Sequence, residues 1–192
     1  MCAQILAPIL PATARILDFG CGPGFLAAAT AKLGHEVIAV DVSRGALACA
    51  RVLNPDSNIS YRHISSDSRL PVATASVDFV YSFAVLYHLS REQLMLAFTE
   101  FERVMKHDAL GAVHFALPAT TERDEGSAPG RIRGPLAQYK PRYCSYSRED
   151  FAAQLAQARL AVRELRPVAS VAAIDDELGS EYLAVFAKPV VP

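Results

Sequence analysis

The sequence lacks a basic excess and lacks any long apolar run. Its 192 residues carry 19 lysines and arginines against 20 aspartates and glutamates, a formal net charge of −1. Nucleic acid is therefore disfavoured as the main partner, because duplex binding depends on a basic face that neutralises phosphates. Pro8 and Pro11 interrupt the apolar start, and no stretch approaches the roughly 20 residues of a membrane helix. We expect a soluble protein with no membrane span.

The sequence also lacks paired cysteines and a secretion signal. Its four cysteines form no C-x-x-C pair and have no spacing with histidine that is typical of a metal site. The N-terminal residues lack the basic segment that begins a signal peptide. These absences favour a reducing cytoplasm and predict no bound metal. The cysteines are Cys2, Cys21, Cys49 and Cys144.

What the chain does have is a regular alternation of strand-like and helix-like segments. Hydrophobic residues make up 52% of it and charged residues 20%, as in a protein with a large core, and we expect one domain over 1–192. Apolar, β-branched runs predict strands at 15–19, 36–42, 59–64, 77–83, 111–117, 160–168 and 182–188. Helices are predicted at 25–33, 44–53, 91–105 and 151–159. This order predicts a mainly parallel α/β sheet with helices on both faces.

A glycine-rich segment follows the first predicted strand, in Ile-Leu-Asp-Phe-Gly-Cys-Gly-Pro-Gly at 16–24. Glycines on alternate positions let a ligand lie against the main chain. A dinucleotide fingerprint would place its third glycine at position 25, which is Phe25. Asp18 would repel a pyrophosphate and attract an ammonium group. The segment therefore favours a zwitterionic cofactor with a sugar, and Cys21 within it is interpreted as a small residue that fits.

Two further carboxylates follow the second and third predicted strands. Asp41 ends the second strand, where it can accept both hydroxyls of a ribose; the alternative is a solvated acid. Asp67 could accept a hydrogen bond from an adenine amino group or could form a turn with its own backbone. Together with the glycine-rich segment, these positions outline a nucleoside site.

On these motifs the chain resembles the class I S-adenosylmethionine-dependent methyltransferases, most closely the small-molecule group with the ubiquinone and menaquinone methyltransferases. The similarity runs in order through 16–24, 41–51, 67–71, 76–80 and 85–89, and resumes at 146–165 and 182–188. Residues 118–145 are not covered. The resemblance implies a Rossmann-like, seven-stranded, mostly parallel sheet with an antiparallel last strand, and S-adenosylmethionine as the cofactor.

The resemblance also assigns residues to parts of the cofactor. Asp18, Gly20, Cys21, Gly22 and Gly24 would hold its methionine part, with Asp18 near the ammonium. The nucleoside would be held by Asp41 at the ribose, Val42 against the adenine, and Asp67 and Ser68 at its polar edge. Ser82 and Phe83 would lie beside the sulfonium. Tyr-Ser-Phe-Ala at 81–84 differs from the Asn/Asp-Pro-Pro-Tyr sequence of the enzymes of this fold that methylate amines of DNA and glutamine, which disfavours such acceptors.

A base is needed only where the acceptor carries a proton that must leave, as in a hydroxyl. His88 is the first candidate, although a structural histidine is the alternative, and Tyr143 is a second catalytic candidate. The segment 118–146, rich in proline and glycine, is expected to shape the acceptor pocket, with a solvated loop as the alternative. Arginines there are available for an anionic acceptor. The acceptor residues predicted are Tyr87, Arg131, Arg142 and Tyr146.

Two functions remain open on the sequence. The first is methyl transfer to a small molecule, with O-methylation ahead of C-methylation; the second is a cofactor-binding or scaffold protein without catalysis. The scaffold function is considered because 14 residues precede the first strand, fewer than in relatives. On this view the chain would be a fragment, a minimal form, or a subunit completed by a second copy in a homodimer or by a partner subunit. A dehydrogenase ranks third.

Overall fold

The computed structural model describes residues 5–65, 69–116, 146–167 and 181–189. Its strands are β1 (Arg15–Phe19), β2 (Glu36–Asp41), β3 (Ile59–His63), β4 (Val77–Ser82), β5 (Met105–Ala116), β6 (Ala161–Pro167) and β7 (Glu181–Ala187). Its helices are α1 (Phe25–Ala31), α2 (Arg44–Leu53), α3 (Arg91–Val104) and α4 (Arg148–Gln157), with a 3-10 turn at Leu86–His88. None of the helices in these ranges is both long and apolar enough to cross a membrane.

The described strands form one seven-stranded sheet in the order β3-β2-β1-β4-β5-β7-β6. The pairs from β3 through β5 are parallel, whereas β7 runs antiparallel to both β5 and β6. The predicted Rossmann-like sheet with an antiparallel last strand is therefore confirmed. Because the chain order reverses direction between β1 and β4, the crevice that such sheets use for ligands lies at the carboxyl ends of these strands.

Both faces of the sheet are buried, which explains why its central strands read as continuous apolar runs. Ile16 and Leu17 are neighbours in β1 and both are fully buried, yet they belong to different hydrophobic clusters. Successive strand side chains point to opposite faces. Leu17 packs in the cluster with Phe98 of α3 and Phe151 of α4. The sequence pattern thus positions β1 at the centre of two layers of packing.

Several boundaries differ from the sequence-based prediction, and the largest difference is at the start of β5. The fifth strand begins at Met105, six residues before the predicted start, and α3 accordingly ends at Val104. The prediction missed the early part of β5 because the residues from Lys106 to Asp108 are polar. In the structure, Asp108 has φ 62°, and the register between β5 and β4 is irregular in this region. The fourth helix begins at Arg148, before its predicted start at 151 and directly after its N-cap Ser147, whose hydroxyl accepts from Asp150 N at 3.0 Å.

Candidate cofactor and acceptor site

The glycine loop, residues 20–24, connects the end of β1 to the start of α1. The backbone N–H groups of Gly20 and Cys21 both donate to the carbonyl of Val40 in β2, at 2.8 and 3.0 Å. All three glycines have positive φ, at 78°, 53° and 80°, the left-handed region that favours glycine. The loop is thereby fixed against the neighbouring strand with its backbone turned towards the carboxyl edge of the sheet.

The surroundings of the three glycines differ. A Cβ on Gly20 would lie 2.3 Å from Cγ2 of Val85, and one on Gly24 would lie 2.6 Å from Oη of Tyr61. A Cβ on Gly22 would meet no described heavy atom within 4 Å. Gly20 and Gly24 are thus required by the packing of the protein itself. Within the part of the chain that the structure describes, open space for a ligand lies over Gly22.

Asp41 binds the glycine loop to the start of α2. Its Oδ2 accepts from the backbone N–H of Gly22 at 2.8 Å, and its Oδ1 accepts from that of Ser43 at 2.7 Å. A carboxylate offers about four lone-pair sites, so each oxygen retains capacity for one more donor, such as a ribose hydroxyl. The half-buried Asp41 therefore orders the loop and presents its remaining capacity to a ligand.

Asp18 lies beneath the loop with little contact with water. Its side chain is 2% exposed, and it is paired in register with Tyr81 of β4, so the two side chains share one face of the sheet. The hydroxyl of Tyr81 donates to Oδ2 of Asp18 at 3.2 Å and lies 3.3 Å from Oγ1 of Thr30 in α1. Burial, chiefly, raises the pKa of Asp18 from 3.8 to about 8.

The charge of this region favours a cationic ligand. Burial, and then the neighbouring carboxylates of Asp18 and Asp41, raise the pKa of the Cys21 thiol above its ordinary value. This makes Cys21 a poor nucleophile. Among the described residues, no lysine, arginine or histidine forms an ion pair with Asp18 or Asp41. Ammonium and sulfonium groups would supply the missing positive charge.

The predicted adenine end is described only in part. Val42 is 55% exposed, a large apolar side chain available to a flat ring. Asp67 and Ser68 lie outside the described residues. The segment directly after them is held by α3: Glu100 Oε2 accepts from Leu70 N at 2.7 Å, and Arg103 donates to the carbonyls of Leu70 and Val72 at 3.2 and 2.9 Å.

The predicted sulfonium residues occupy the end of β4. Ser82 is fully buried, and its hydroxyl donates to the carbonyl of Phe19 at 2.9 Å, so it links β4 to β1. Phe83 is half-buried and stacks on His114 of β5, with ring centroids 5.9 Å apart. Nδ1 of His114 accepts from Ala84 N at 3.3 Å. Of the two predicted residues, Phe83 presents the more accessible side chain.

Phe83 belongs to a set of four rings, the ring cluster, formed by Phe83, Tyr87, His88 and His114. Tyr87 is buried and lies edge-on to both histidines, with centroid distances of 4.5 Å to His88 and 6.2 Å to His114. His88 is exposed at the end of the 3-10 turn. The structure thus brings together the predicted base and the predicted acceptor residue Tyr87 near Val85, which packs on Gly20.

Of the remaining acceptor candidates, Tyr146 alone lies within the described residues. Tyr146 is buried, and its hydroxyl donates to the carbonyl of Leu89 at 2.8 Å, just after the 3-10 turn. Tyr143, Arg131 and Arg142 lie outside the described residues, as does the predicted segment apart from Tyr146. No group of three metal-ligating side chains occurs in the ranges that the structure describes.

A shallow cavity of about 520 Å³ lies beside the edge strand β3 and shares Tyr61 with the surroundings of Gly24. None of its lining residues is a predicted cofactor residue; they are Arg51, Pro55, Asp56, Ser57, Ile59 and Tyr61. We place the candidate site at the glycine loop rather than in this cavity. The loop has the open backbone of Gly22 and the carboxyl groups of Asp18 and Asp41, which form no ion pair within the described residues.

Sequence reasoning missed Tyr81, Thr30, Val85 and Tyr61. A tyrosine two residues after the buried Phe79 reads as one more apolar strand residue, and its partnership with Asp18 depends on the register between β1 and β4. The contacts of Val85 and Tyr61 with the glycines depend on how loops fold back. No sequence signal identifies such contacts.

A family model described as a methyltransferase domain matches residues 17–113, slightly more than half of the chain. The chain belongs to this family. The matched residues run from β1 to β5 and include the glycine loop, Asp41 and the ring-bearing turn after β4. The family implies S-adenosylmethionine as the cofactor, as predicted. The open space at Gly22 and the uncompensated acidic groups fit that cofactor.

Curated relatives match part of the chain. It is 40% identical over 108 residues to the biotin biosynthesis bifunctional protein BioHC of Cellvibrio japonicus, covering 55% of this chain and 20% of that protein. It is 37% identical over 122 residues to a ubiquinone biosynthesis O-methyltransferase of Ruegeria pomeroyi, covering 62% and 46%. The chain therefore spans less than half the length of these relatives.

Solved structures share the fold over nearly the whole chain. A SAM-dependent methyltransferase from Methanosarcina mazei superposes with a TM-score of 0.80 at 17% identity, covering 97% of this chain and 98% of that one. A putative methyltransferase from Haloferax volcanii, solved in complex with the Trm112 methyltransferase activator, gives 0.73 at 18% identity, covering 98% and 89%. At such identities the likeness concerns the fold.

Proposed function

We propose that this methyltransferase transfers a methyl group from S-adenosylmethionine to a small-molecule acceptor, with a hydroxyl oxygen favoured over a carbon. The observation that carries the proposal is the position of the ring cluster. Three of its four rings follow β4, the strand next to β1, and Val85 within the same turn packs on Gly20. Aromatic surface and an exposed histidine thus adjoin the glycine loop.

The sulfonium of the cofactor supplies a methyl group that is already labile towards nucleophiles. The task of the protein is to place the acceptor in line with it, and positioning of this kind can contribute roughly 7–11 kcal/mol. The half-buried Phe83 would offer flat apolar surface to the acceptor, and the buried Tyr87 supports it through His114. His88 would accept the proton of an acceptor hydroxyl through a ring nitrogen as the new O–C bond forms.

The experiment measures transfer of a labelled methyl group to a panel of hydroxyl and carbon acceptors by wild type and His88→Asn. We expect the substitution to lower kcat by roughly 10²-fold or more for hydroxyl acceptors and to leave the Kd of the cofactor unchanged. His107→Asn is the control, since His107 is also exposed but lies near the amino end of β5. Equal activity of the two variants would contradict the role of His88 as the base.

The acceptor is proposed to carry a negative group recognised by Arg131 and Arg142. The support is compositional, because both arginines belong to the segment 118–146 that separates β5 from α4. Replacing both with alanine should raise the KM of an anionic acceptor and leave that of its neutral ester unchanged. An equal change for the two acceptors would contradict charge recognition.

The alternative is a cofactor-binding protein that needs a partner subunit or a second copy. One observation favours it: the Haloferax volcanii neighbour was solved together with an activator protein. Purified chain that binds the cofactor but methylates no component of a cell extract, until a co-purified partner is added, would support this alternative. Turnover by the chain alone would exclude it.

A further inference from the structure

We propose that Tyr81 is a positioning residue for the cofactor. With Thr30, its hydroxyl orients the Asp18 carboxyl and stabilises the ionised form that pairs with the cofactor ammonium, so that binding releases one proton from Asp18. The inference rests on the proposed methyltransferase function, because it assumes that the ammonium lies at Asp18.

Hydrogen bonds link three buried side chains, Thr30, Tyr81 and Asp18. Tyr81 is completely buried, Thr30 is 1% exposed and Asp18 is 2% exposed. A tyrosine hydroxyl has one proton. When Tyr81 donates it to Asp18 at 3.2 Å, its oxygen can accept from Thr30, whose Oγ1 is 3.3 Å away. The result is a chain from Thr30 through Tyr81 to one oxygen of Asp18.

The charges around Asp18 explain why its ionisation would depend on the cofactor. The titratable groups that act on it are Tyr81 of β4 and Asp41 of β2, and the Cys21 thiol in the loop and the Tyr61 hydroxyl of β3 interact with it in turn. None of them is a cation. Burial raises the pKa of Asp18 to about 8, and the hydrogen bond from Tyr81 opposes this rise. An ammonium group at the same place would favour the ionised carboxylate.

The exchange is balanced in charge and protons. Before binding, the carboxyl carries a proton and is neutral. On binding, the proton leaves to solvent, and the carboxylate and the ammonium form an ion pair. The donated hydrogen bond of Tyr81 is stronger to the ionised oxygen than to the neutral acid. Tyr81 would therefore act selectively on the bound state.

The test measures cofactor binding by calorimetry between pH 6 and 9, in two buffers with different ionisation enthalpies. Wild type should release close to one proton at pH 7, with an affinity that rises with pH and levels off near pH 8. In Tyr81→Phe the affinity at pH 7 should fall roughly ten-fold, as for loss of one hydrogen bond to a charge. The affinity of this variant should level off at a higher pH than that of wild type.

Asp18→Asn and Thr30→Val complete the design. Asp18→Asn should abolish proton release, and adding Tyr81→Phe to it should change the affinity much less than in wild type. Thr30→Val keeps the shape of its side chain and should shift the pH profile in the same direction as Tyr81→Phe; it serves also if Tyr81→Phe does not fold. The amino group of the cofactor titrates in the same way with every variant, so it does not cause differences between their pH profiles.

Two results would overturn the proposal in distinguishable ways. If wild type binds the cofactor but neither Tyr81→Phe nor Thr30→Val moves the pH profile, Tyr81 is only a core residue and the methyltransferase function stands. If wild type binds no S-adenosylmethionine at any pH, the proposed function fails together with this inference.

Discussion

The side chain of Tyr61 occupies the place where a Cβ on Gly24 would lie, with its Oη 2.6 Å from that position. The same hydroxyl donates to the carbonyl of Asn54 at 3.0 Å, and Asn54 in turn donates to the carbonyl of Pro23 at 2.8 Å. The edge strand β3 and the end of α2 therefore support the glycine loop from the side. The shape of the loop is determined by its protein neighbours before any ligand arrives.

Gly20 and Gly22 should respond differently to alanine. Gly20→Ala adds a clash with Val85 to the cost of a positive φ, and we expect the free energy of unfolding to fall by more than about 2 kcal/mol. Gly22→Ala carries only the backbone cost, of order 1 kcal/mol, but should raise the Kd of the cofactor at least ten-fold. Urea unfolding and calorimetry measure both.

A second substitution checks the cause of the loss at Gly20. Val85→Ala combined with Gly20→Ala should recover part of the lost stability, because the atoms in conflict are the Val85 methyl groups. Equal destabilisation by Gly20→Ala and Gly22→Ala would contradict the packing described here.

Asp41→Asn should weaken the cofactor site and the glycine loop together. The amide keeps the shape of the side chain but has one acceptor oxygen, so either Gly22 or Ser43 loses its partner. We expect a loss of about 1–2 kcal/mol in unfolding free energy and a clear fall in cofactor affinity. Asp56→Asn is the matched control, since Asp56 accepts from Asn58 in a turn before β3. An unchanged affinity in Asp41→Asn would refute the ribose role.

The ligand-free protein should lose stability as the pH rises towards 8. Folded Asp18 has a pKa of about 8 and the ordinary value is 3.8, so between these values the folded state holds a proton that the unfolded state has released. Its contribution is fully present below pH 3.8 and is lost as the pH rises through 8, with a slope of up to about 1.4 kcal/mol per pH unit.

Urea unfolding at pH 5, 6, 7 and 8 measures this dependence, and Asp18→Asn should flatten it. The pKa values of Asp78 and Glu100 are lowered instead; burial opposes this, and hydrogen bonds with Lys106 and Arg103, respectively, outweigh it. The stabilisation that Asp78 and Glu100 contribute is lost only at acidic pH. It can therefore be separated from the effect of Asp18, which is lost as the pH rises towards 8. If the pH dependence of stability persists in Asp18→Asn, another titratable group causes it.

Arg103→Gln should destabilise the protein far more than Arg91→Gln. The guanidinium of Arg103 contacts Glu100 at 2.6 Å and donates to the backbone of the segment at 70–74, with its side chain 16% exposed. Loss of these bonds should lower the free energy of unfolding by about 2–3 kcal/mol. Arg91 forms a 3.7 Å pair with Asp150 and is 62% exposed; its loss should have little effect. Similar losses would contradict this role of Arg103.

The sequence predicts the fold well because strand and helix periods alternate along it and the glycine spacing follows the first strand. The same reasoning places Asp18 and Asp41 at neighbouring strand ends, where the structure has them. It fails at β5, because Lys106 to Asp108 are polar and exposed although they lie in a strand.

The finer design of the site depends on contacts between distant residues. Tyr81 lies 63 positions from Asp18 in sequence, and the two meet only because of the register between their strands. Tyr146 is a predicted acceptor residue; the structure buries it and directs its hydroxyl to Leu89, and its contact with an acceptor stays a prediction. Burial and hydrogen-bond direction of this kind follow from tertiary packing and leave no local pattern.

The antiparallel strand β7 has a consequence for synthesis on the ribosome. It hydrogen-bonds to β5 on one side and to β6 on the other, although both of its neighbours precede it in the chain. Until residue 187 has left the exit tunnel, β5 presents an open edge and β6 has no described strand to join. We therefore expect nascent chains that end before β7 to remain protease-sensitive and dependent on chaperones, however complete their glycine loop is.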